Sequence, residues 1–271
     1  MLRLSVNEMT TYRWSFEDDV TNYANAGISQ IGVWRQKLSD YGDDAGIDLI
    51  HEYGMSVSSL TWAGGFTGSD GRSHEEAIRD GLEAIELAAK LEASSLIVYT
   101  GGRGGHTRSH ARRLVKSALH ELAWLADDFG VTLAIEPMHP GCGLDWTFLT
   151  GLDATLELLA EVNRDCVKLL LDTYHLGFDP SLRSRLADLV PQIGLVHLGD
   201  ARRAPSGEQD RCLLGRGRIP VQEIVTMLQD CGYEGAYELE LMGQEIEDHD
   251  YWELLSDSQR VVEEFQGAGI S

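Results

Sequence analysis

The sequence predicts an α/β fold, a (β/α)8 TIM barrel in a single domain over 1–271, and three observations carry that prediction. Eight short apolar or β-branched runs alternate with longer helical patterns from end to end. The 271 residues fit the length of about 250 residues that such barrels take. No linker or low-complexity stretch divides the chain. A doubly wound open sheet shares the local pattern, and periodicity alone does not separate the two.

In chain order the first strand candidates are RLSVNEM (3–9), QIGVW (30–34) and SVSSLTW (56–62). Ser73-His74-Glu75-Glu76 then has the form of a capping box, and Ile78, Leu82, Ile85 and Ala89 follow at helical spacing on one face. SLIVYTG (95–101) runs into the Gly-rich GGRGGHTRSHARR (101–113). The helix after it carries Leu114, Ala118, Leu122 and Leu125 and stops at Gly130, a residue suited to the turn that ends a helix. VTLAIEP (131–137), VKLLLDT (167–173), IGLVHLG (193–199) and AYELELM (236–242) complete the strands. The tail, 267–271, is expected to be loose.

Charge narrows the function classes. With 44 Asp and Glu against 22 Lys and Arg, the formal net charge is −22, which repels nucleic acid and anionic membranes. No apolar stretch approaches a membrane span and the N-terminus lacks a signal-peptide layout, so the chain is expected in the cytoplasm. Cys142, Cys166, Cys212 and Cys231 form no CxxC pair and read as reduced thiols.

The last four strand candidates share one feature. Each is apolar for most of its length and presents an ionisable residue near its C-terminal end: Glu136, Asp172, His197 and Glu240. In a parallel barrel those ends open on one face. Alternation turns Asp172 inward with Leu170, Glu136 with Ala134, and His197 with Leu195, while Leu169 and Leu171 face the helices. Singly, each also fits a strand-end acid paired with an arginine, or a hydrogen-bonded core histidine. Together, three carboxylates and an imidazole at one mouth call for a cation among them. Oxygen and imidazole donors without sulfur suit one divalent metal ion, Mn²⁺ or Mg²⁺ first, with Co²⁺ or Zn²⁺ also compatible.

The segments LAIEPMHP, LLLDTYHLGFDP, VHLGDARRAP, GRGRIPVQEIV and GYEGAYELEL, in that order, resemble the second half of the sugar phosphate isomerase/epimerase family. These are xylose isomerase-like TIM barrels that include ketose 3-epimerases, hydroxypyruvate isomerases and inosose dehydratases. The resemblance implies that Glu136, Asp172, His197 and Glu240 ligate the metal, and that His175 and Arg203 contact substrate. Glu238 shares Glu240's parity and is the alternative last ligand. Glu240 is preferred because it lies nearer the open end, which leaves Glu238 one layer deeper, with Lys168 as a candidate partner.

A metal there supports proton abstraction beside a carbonyl. Glu136 and Glu240 are the candidate acid and base, on opposite sides of a small sugar, keto-sugar or cyclitol. Return of the proton to the opposite face epimerises, return to the neighbouring carbon isomerises, and loss of a β-hydroxyl dehydrates. His175 either meets a substrate hydroxyl or steadies Asp172 and Glu136. Asp200 is expected to orient His197 or Arg203. The 101–113 segment, with Arg103, Arg108, Arg112 and Arg113, either closes over substrate or is a plain connection with a basic helix face; His106 within it is a candidate substrate contact. Trp34 and Trp62 are candidates for an apolar wall against a sugar ring, or for simple packing. No phosphate-binding motif accompanies these residues. The resemblance implies a small carbohydrate substrate and a homo-oligomer, and the alternatives from other classes are a metal-dependent hydrolase of abasic DNA and a silent sugar-binding barrel.

Overall fold

A computed structural model describes residues 2–267. Its strands are β1 (Arg3–Asn7), β2 (Gln30–Trp34), β3 (Ser56–Gly64), β4 (Ser95–Tyr99), β5 (Thr132–Ile135), β6 (Val167–Asp172), β7 (Ile193–Leu198) and β8 (Ala236–Leu239). Among the described residues they pair in parallel, in sequence order, and β8 closes on β1, so the open-sheet alternative is excluded. The helices are α1 (Phe16–Asn25), α2 (Arg35–Tyr41), α3 (Asp43–Glu52), α4 (His74–Lys90), α5 (Arg108–Phe129), α6 (Leu152–Val162), α7 (Thr173–Leu176), α8 (Leu182–Leu189), α9 (Val221–Asp230), α10 (Gln244–Glu247) and α11 (Tyr251–Gly267). Gly267 is the last residue of α11, and the rest of the expected loose tail lies outside the described residues. None of the described helices is long and apolar enough to cross a membrane.

Every strand candidate forms a strand, and the ends differ by a few residues. β1, β4, β5 and β8 stop two or more residues short of the sequence reading. Glu136 and Glu240 therefore sit one residue beyond β5 and β8, each still tied by its backbone N–H, to the Val98 and Leu198 carbonyls respectively.

The capping box at Ser73 forms, with Ser73 Oγ accepting from the Glu76 N–H and the Glu76 carboxylate accepting from the Ser73 N–H. The packed face of α4 is rotated from the predicted stripe: Ala77, Gly81, Ala84 and Ala88 are buried, with Ile78 and Ile85 beside them, while Leu82 and Ala89 lie at its edge. Small residues let α4 approach its neighbour closely, and a Cβ on Gly81 would meet Leu122 of α5 at 2.9 Å. On α5, Ala118 and Leu122 are buried as expected, Leu114 and Leu125 only partly. Gly130 ends α5 in the left-handed region, φ +69°.

Two cores result. The larger lies between strands and helices and contains Leu169 and Leu171; a smaller one inside the barrel contains Ile97, Tyr99, Ala134, Met138, Leu170 and Leu195. The inward and outward assignments of alternation hold. The interior is uneven, however: β4 to β7 fill it with apolar side chains, whereas β1, β3 and β8 contribute the buried Ser5, Asn7, Ser58, Ser59 and Glu238.

Beside β1 lies a second buried charge group. Lys37 of α2 reaches Asp19 of α1 at 2.5 Å and donates to the Glu8 and Thr11 carbonyls. Glu8 accepts the Trp34 N–H at 2.6 Å. Burial pushes the Glu8 and Asp19 carboxyls up, and Lys37 opposes that shift. Lys37 thus pins α1 and α2 to the top of β1. Lys37→Met should lower stability by about 3–5 kcal/mol by leaving Asp19 uncompensated; adding Asp19→Asn should recover part of the loss. Urea unfolding of the two variants checks both.

Candidate active site

Four of the sequence-predicted residues meet at the C-terminal mouth. Glu136, Asp172, His197 and Glu240 each offer one ligand atom, all within 4.8 Å of one another, and all four residues are buried. Asp172 ends β6, where its Oδ1 also accepts the Tyr174 N–H at 2.7 Å and so starts α7. His197 is its register partner on β7. His197 Nδ1 faces the group, 3.3 Å from Glu240 Oε2 and 4.0 Å from Asp172 Oδ2, and Nε2 points away, 3.2 Å from Glu238 Oε1.

Glu238 stands outside the four, as expected for a residue one layer deeper. Lys168 does not pair with it: Lys168 Nζ donates to the Pro191 carbonyl at the other end of the barrel. A bulge between Leu169 and Leu170 shifts the β6 register against β7, and Lys168 lies below it.

Sequence reading missed the cation already present. Arg211, in the loop after β7, is fully buried and reaches Asp172 Oδ2 at 2.8 Å and Glu240 Oε2 at 2.6 Å. It also donates to the Glu240 carbonyl at 2.9 Å and lies over the Tyr174 ring. The predicted Arg203 is displaced by it: its side chain is 77% exposed and pairs with Asp210 at the surface. Asp200 causes this path. Its carboxylate accepts backbone N–H groups of Ala201, Gly215, Gly217 and Ile219, which folds the loop back over the mouth, so Asp200 organises this loop and orients neither His197 nor Arg203. The Asp-Arg pair at 210–211 was the available signal, and another arginine at plausible spacing hid it.

Arg211 pairs directly with Asp172 and Glu240 and acts on Glu136 only through space. Both Glu136 carboxyl oxygens are buried without a hydrogen-bond partner. Burial, then the charges of Glu240 and Asp172, push Glu136 well above the usual carboxylate range. Glu240 goes the other way, held near 2 by Arg211 and His197 against the cost of burial. The pair is thus split in proton affinity although both side chains are glutamates. Unpartnered buried oxygens beside an imidazole nitrogen fit a divalent cation: the donors are three carboxylates and one imidazole, without sulfur.

His175 is at the site. Its Nδ1 accepts the His139 N–H at 3.2 Å, so in the neutral ring Nε2 carries the proton, 3.7 Å from Glu136 Oε1 and 4.0 Å from Asp172 Oδ2. Burial lowers it to about 4, which keeps the ring neutral at neutral pH.

Trp62 packs against Tyr99 and Trp146, with ring centroids 5.4 and 5.8 Å away. These rings line a cavity of about 310 Å³ with Gly101, Ser69, Asp70 and Asp145 on its other walls. Burial, then the nearby Glu136 and Glu240 charges, push the Tyr99 phenol well above its usual range. Sequence reasoning missed Tyr99, although its parity with Ile97 places it inside the barrel, and Trp146, which sits on a loop without periodic signal. Trp34 stands at the start of α2 without a side-chain capping bond and joins Trp62 in the wall of an adjoining cavity of about 560 Å³. His106 bonds the Thr67 carbonyl and stacks on His110, tying the 101–113 segment to the loop after β3. Arg112 pairs with Glu157 and Glu161 of α6, so for that arginine the basic helix face is the reading that holds. The four cysteines are free thiols.

Residues 20–260 match a family model described as xylose isomerase-like TIM barrel. The inosose isomerase of Halalkalibacterium halodurans is 30% identical over 262 residues, 90% of this chain and 89% of that protein. The D-psicose 3-epimerase of Enterocloster bolteae is 25% identical over 240 residues, 82% of this chain and 72% of that protein. Among solved structures, the Sinorhizobium meliloti protein SMc04130 superposes with a TM-score of 0.89 at 26% identity, covering 97% of this chain and 98% of that one. The zinc-bound IOLI protein superposes at 0.84 with 22% identity, covering 97% and 98%, a likeness of fold.

The split carboxylates set a pH dependence that can be measured with chelator present. Glu136 is raised from 4.5, so above that pH the folded state holds a proton the unfolded state has lost, and stability falls as pH climbs through the raised range. Glu240, near 2, contributes stability that is present above 4.5 and lost as pH falls through about 2. Glu136→Gln should flatten the high-pH limb by up to about 1.4 kcal/mol per pH unit and leave the acid limb unchanged, as read by urea unfolding at a series of pH values.

Proposed function

The chain belongs to the xylose isomerase-like TIM barrel family, and from that premise we propose that it is a divalent-metal-dependent isomerase or epimerase of a small sugar, keto-sugar or cyclitol. The observation that carries this reading is the convergence of Glu136, Asp172, His197 and Glu240 within 4.8 Å, with both Glu136 oxygens unpartnered. Glu136, Asp172 and Glu240 through oxygen and His197 through Nδ1 would hold the ion. Mn²⁺ suits this donor set best, and Mg²⁺, Co²⁺ or Zn²⁺ also fit. When bound, a divalent ion there stabilises negative charge developing on a substrate oxygen during proton abstraction beside a carbonyl.

The protein's own groups divide the remaining work. Glu136 and Glu240 follow β5 and β8, three strands apart round the barrel, and so approach a substrate from different sides. Glu136, with no donor on either oxygen, is the readier proton acceptor; Glu240, kept ionised by Arg211, is its counterpart on the other side. Neutral His175 presents an Nε2–H that can bond a substrate hydroxyl or carbonyl. Arg211 holds Asp172 and Glu240 in place and adds positive charge where an enediolate would form. Trp62, Tyr99 and Trp146 give a sugar or cyclitol ring an apolar wall to lie against.

Relatives carry the names inosose isomerase and D-psicose 3-epimerase, and isomerising an inosose, epimerising a ketose at the carbon next to its carbonyl and dehydrating an inosose can all begin with proton abstraction beside a carbonyl. NMR in D₂O tests the proposal: purified protein incubated with a panel of inososes and ketoses should exchange a C–H proton of at least one of them, lose that activity in chelator and regain it with Mn²⁺. Glu136→Gln and Glu240→Gln should each slow exchange by about 100-fold or more while the protein stays folded. Exchange that survives exhaustive metal removal would contradict the reading.

A further inference from the structure

The floor of the site holds a carboxylate that the proposed chemistry does not use. Glu238 is fully buried on β8, and it is the register partner of His197 on β7. Its Oε1 accepts from Asn7 Nδ2 at 2.6 Å and Ser59 Oγ at 2.9 Å, and its Oε2 accepts from Ser58 Oγ at 2.5 Å. Each donor is itself oriented. Asn7 Oδ1 takes the Met9 N–H, which turns the amide nitrogen toward Glu238. Ser5 Oγ lies 2.6 Å from Ser58 Oγ and can donate to it, freeing the Ser58 proton for the carboxylate. Gly32 leaves the space: a Cβ there would stand 2.5 Å from Glu238 Cδ. Residues of β1, β2 and β3 thus hold one β8 carboxylate in a single orientation, its Oε1 3.2 Å from His197 Nε2.

We infer that Glu238 is the positioning residue for His197: Nε2 has no hydrogen-bond partner as placed, and Glu238 Oε1, 3.2 Å away, is the acceptor that would take its proton and leave Nδ1 as the free donor to the Glu136, Asp172 and Glu240 group. The inference rests on the metal reading above. An imidazole with a carboxylate on both sides can bind in either ring orientation and with either nitrogen protonated, and a ligand needs one of these. Glu238 is held by three hydroxyl and amide donors and cannot follow the ring, so the ring must conform to it. Its negative charge also makes Nδ1 a stronger donor, the usual effect of a carboxylate behind a ligating histidine. The interior's uneven filling then has a purpose: the small polar residues of β1 and β3 surround Glu238 and fix it on the barrel floor.

Isothermal titration of metal-free protein with Mn²⁺ tests this, with wild type, Asp172→Asn and Glu238→Gln compared. Wild type should bind one ion, Asp172→Asn should lose it, and Glu238→Gln should stay folded but bind about 10- to 100-fold more weakly. The absorption bands of bound Co²⁺ should also shift in Glu238→Gln, which a purely structural role would not cause. Equal Mn²⁺ affinity in wild type and Glu238→Gln overturns this inference and leaves the metal reading intact; no binding by wild type overturns both. Should Glu238→Gln fail to fold, the wild type decides. In the Zn²⁺-loaded, ¹⁵N-labelled protein the His197 ring should carry its proton on Nε2, and a ring protonated on Nδ1 contradicts the assignment.

Discussion

Everything at the mouth of this barrel answers to one constraint, the burial of Glu136, Asp172, Glu238 and Glu240 around the His197 imidazole. Carboxylates taken from water at such distances repel one another and lose hydration, and each needs a compensating partner. The protein supplies these unequally. Arg211 satisfies Asp172 and Glu240 together, the Asn7, Ser58 and Ser59 donors satisfy Glu238, and neither Glu136 oxygen has a hydrogen-bond partner. The uncompensated position is where a cation gains most, and it is also where a proton acceptor is most basic.

The rest of the barrel can be read from that allocation. Leucines on β6 and β7 provide the rigid staves that bring Asp172 and His197 into register, and the apolar half of the interior keeps water from the cluster. Arg211 reaches the cluster because Asp200 gathers four backbone N–H groups and turns the β7 loop inward. Lys37 does similar work under α1 and α2, so the loops around the mouth are fastened at two separate buried charges. Trp62, Tyr99 and Trp146 line a cavity of their own with Asp70 and Asp145, and Tyr99, close enough to feel the Glu136 and Glu240 charges, links that aromatic wall to the cluster.

Much of this was legible in the chain. Strand alternation is strict, so a leucine run ending in Asp172 declared both its outward face and its inward acid, and the same held for Glu136, His197 and the deeper place of Glu238 below Glu240. Arg203 and Arg211 show where legibility ends. Both lie in a loop without period, and which one turns inward depends on long-range bonds from Asp200 that spacing does not reveal. Lys168 failed for a related reason: its parity is inward, but a register bulge and its long side chain carry the ammonium to the opposite end of the barrel. The face of α4 was misjudged because the small residues that allow close packing have little hydrophobic weight of their own.

The central claim is that these strand ends hold one divalent ion through Glu136, Asp172, His197 and Glu240. Anomalous diffraction from crystals grown with Mn²⁺ tests it most directly. The account predicts a single strong peak bonded to oxygens of Glu136, Asp172 and Glu240 and to His197 Nδ1, with Glu238 behind the imidazole and outside the coordination sphere. A peak bonded to Glu238 in place of Glu240, or no peak at the mouth while Mn²⁺ is present in excess, would contradict it.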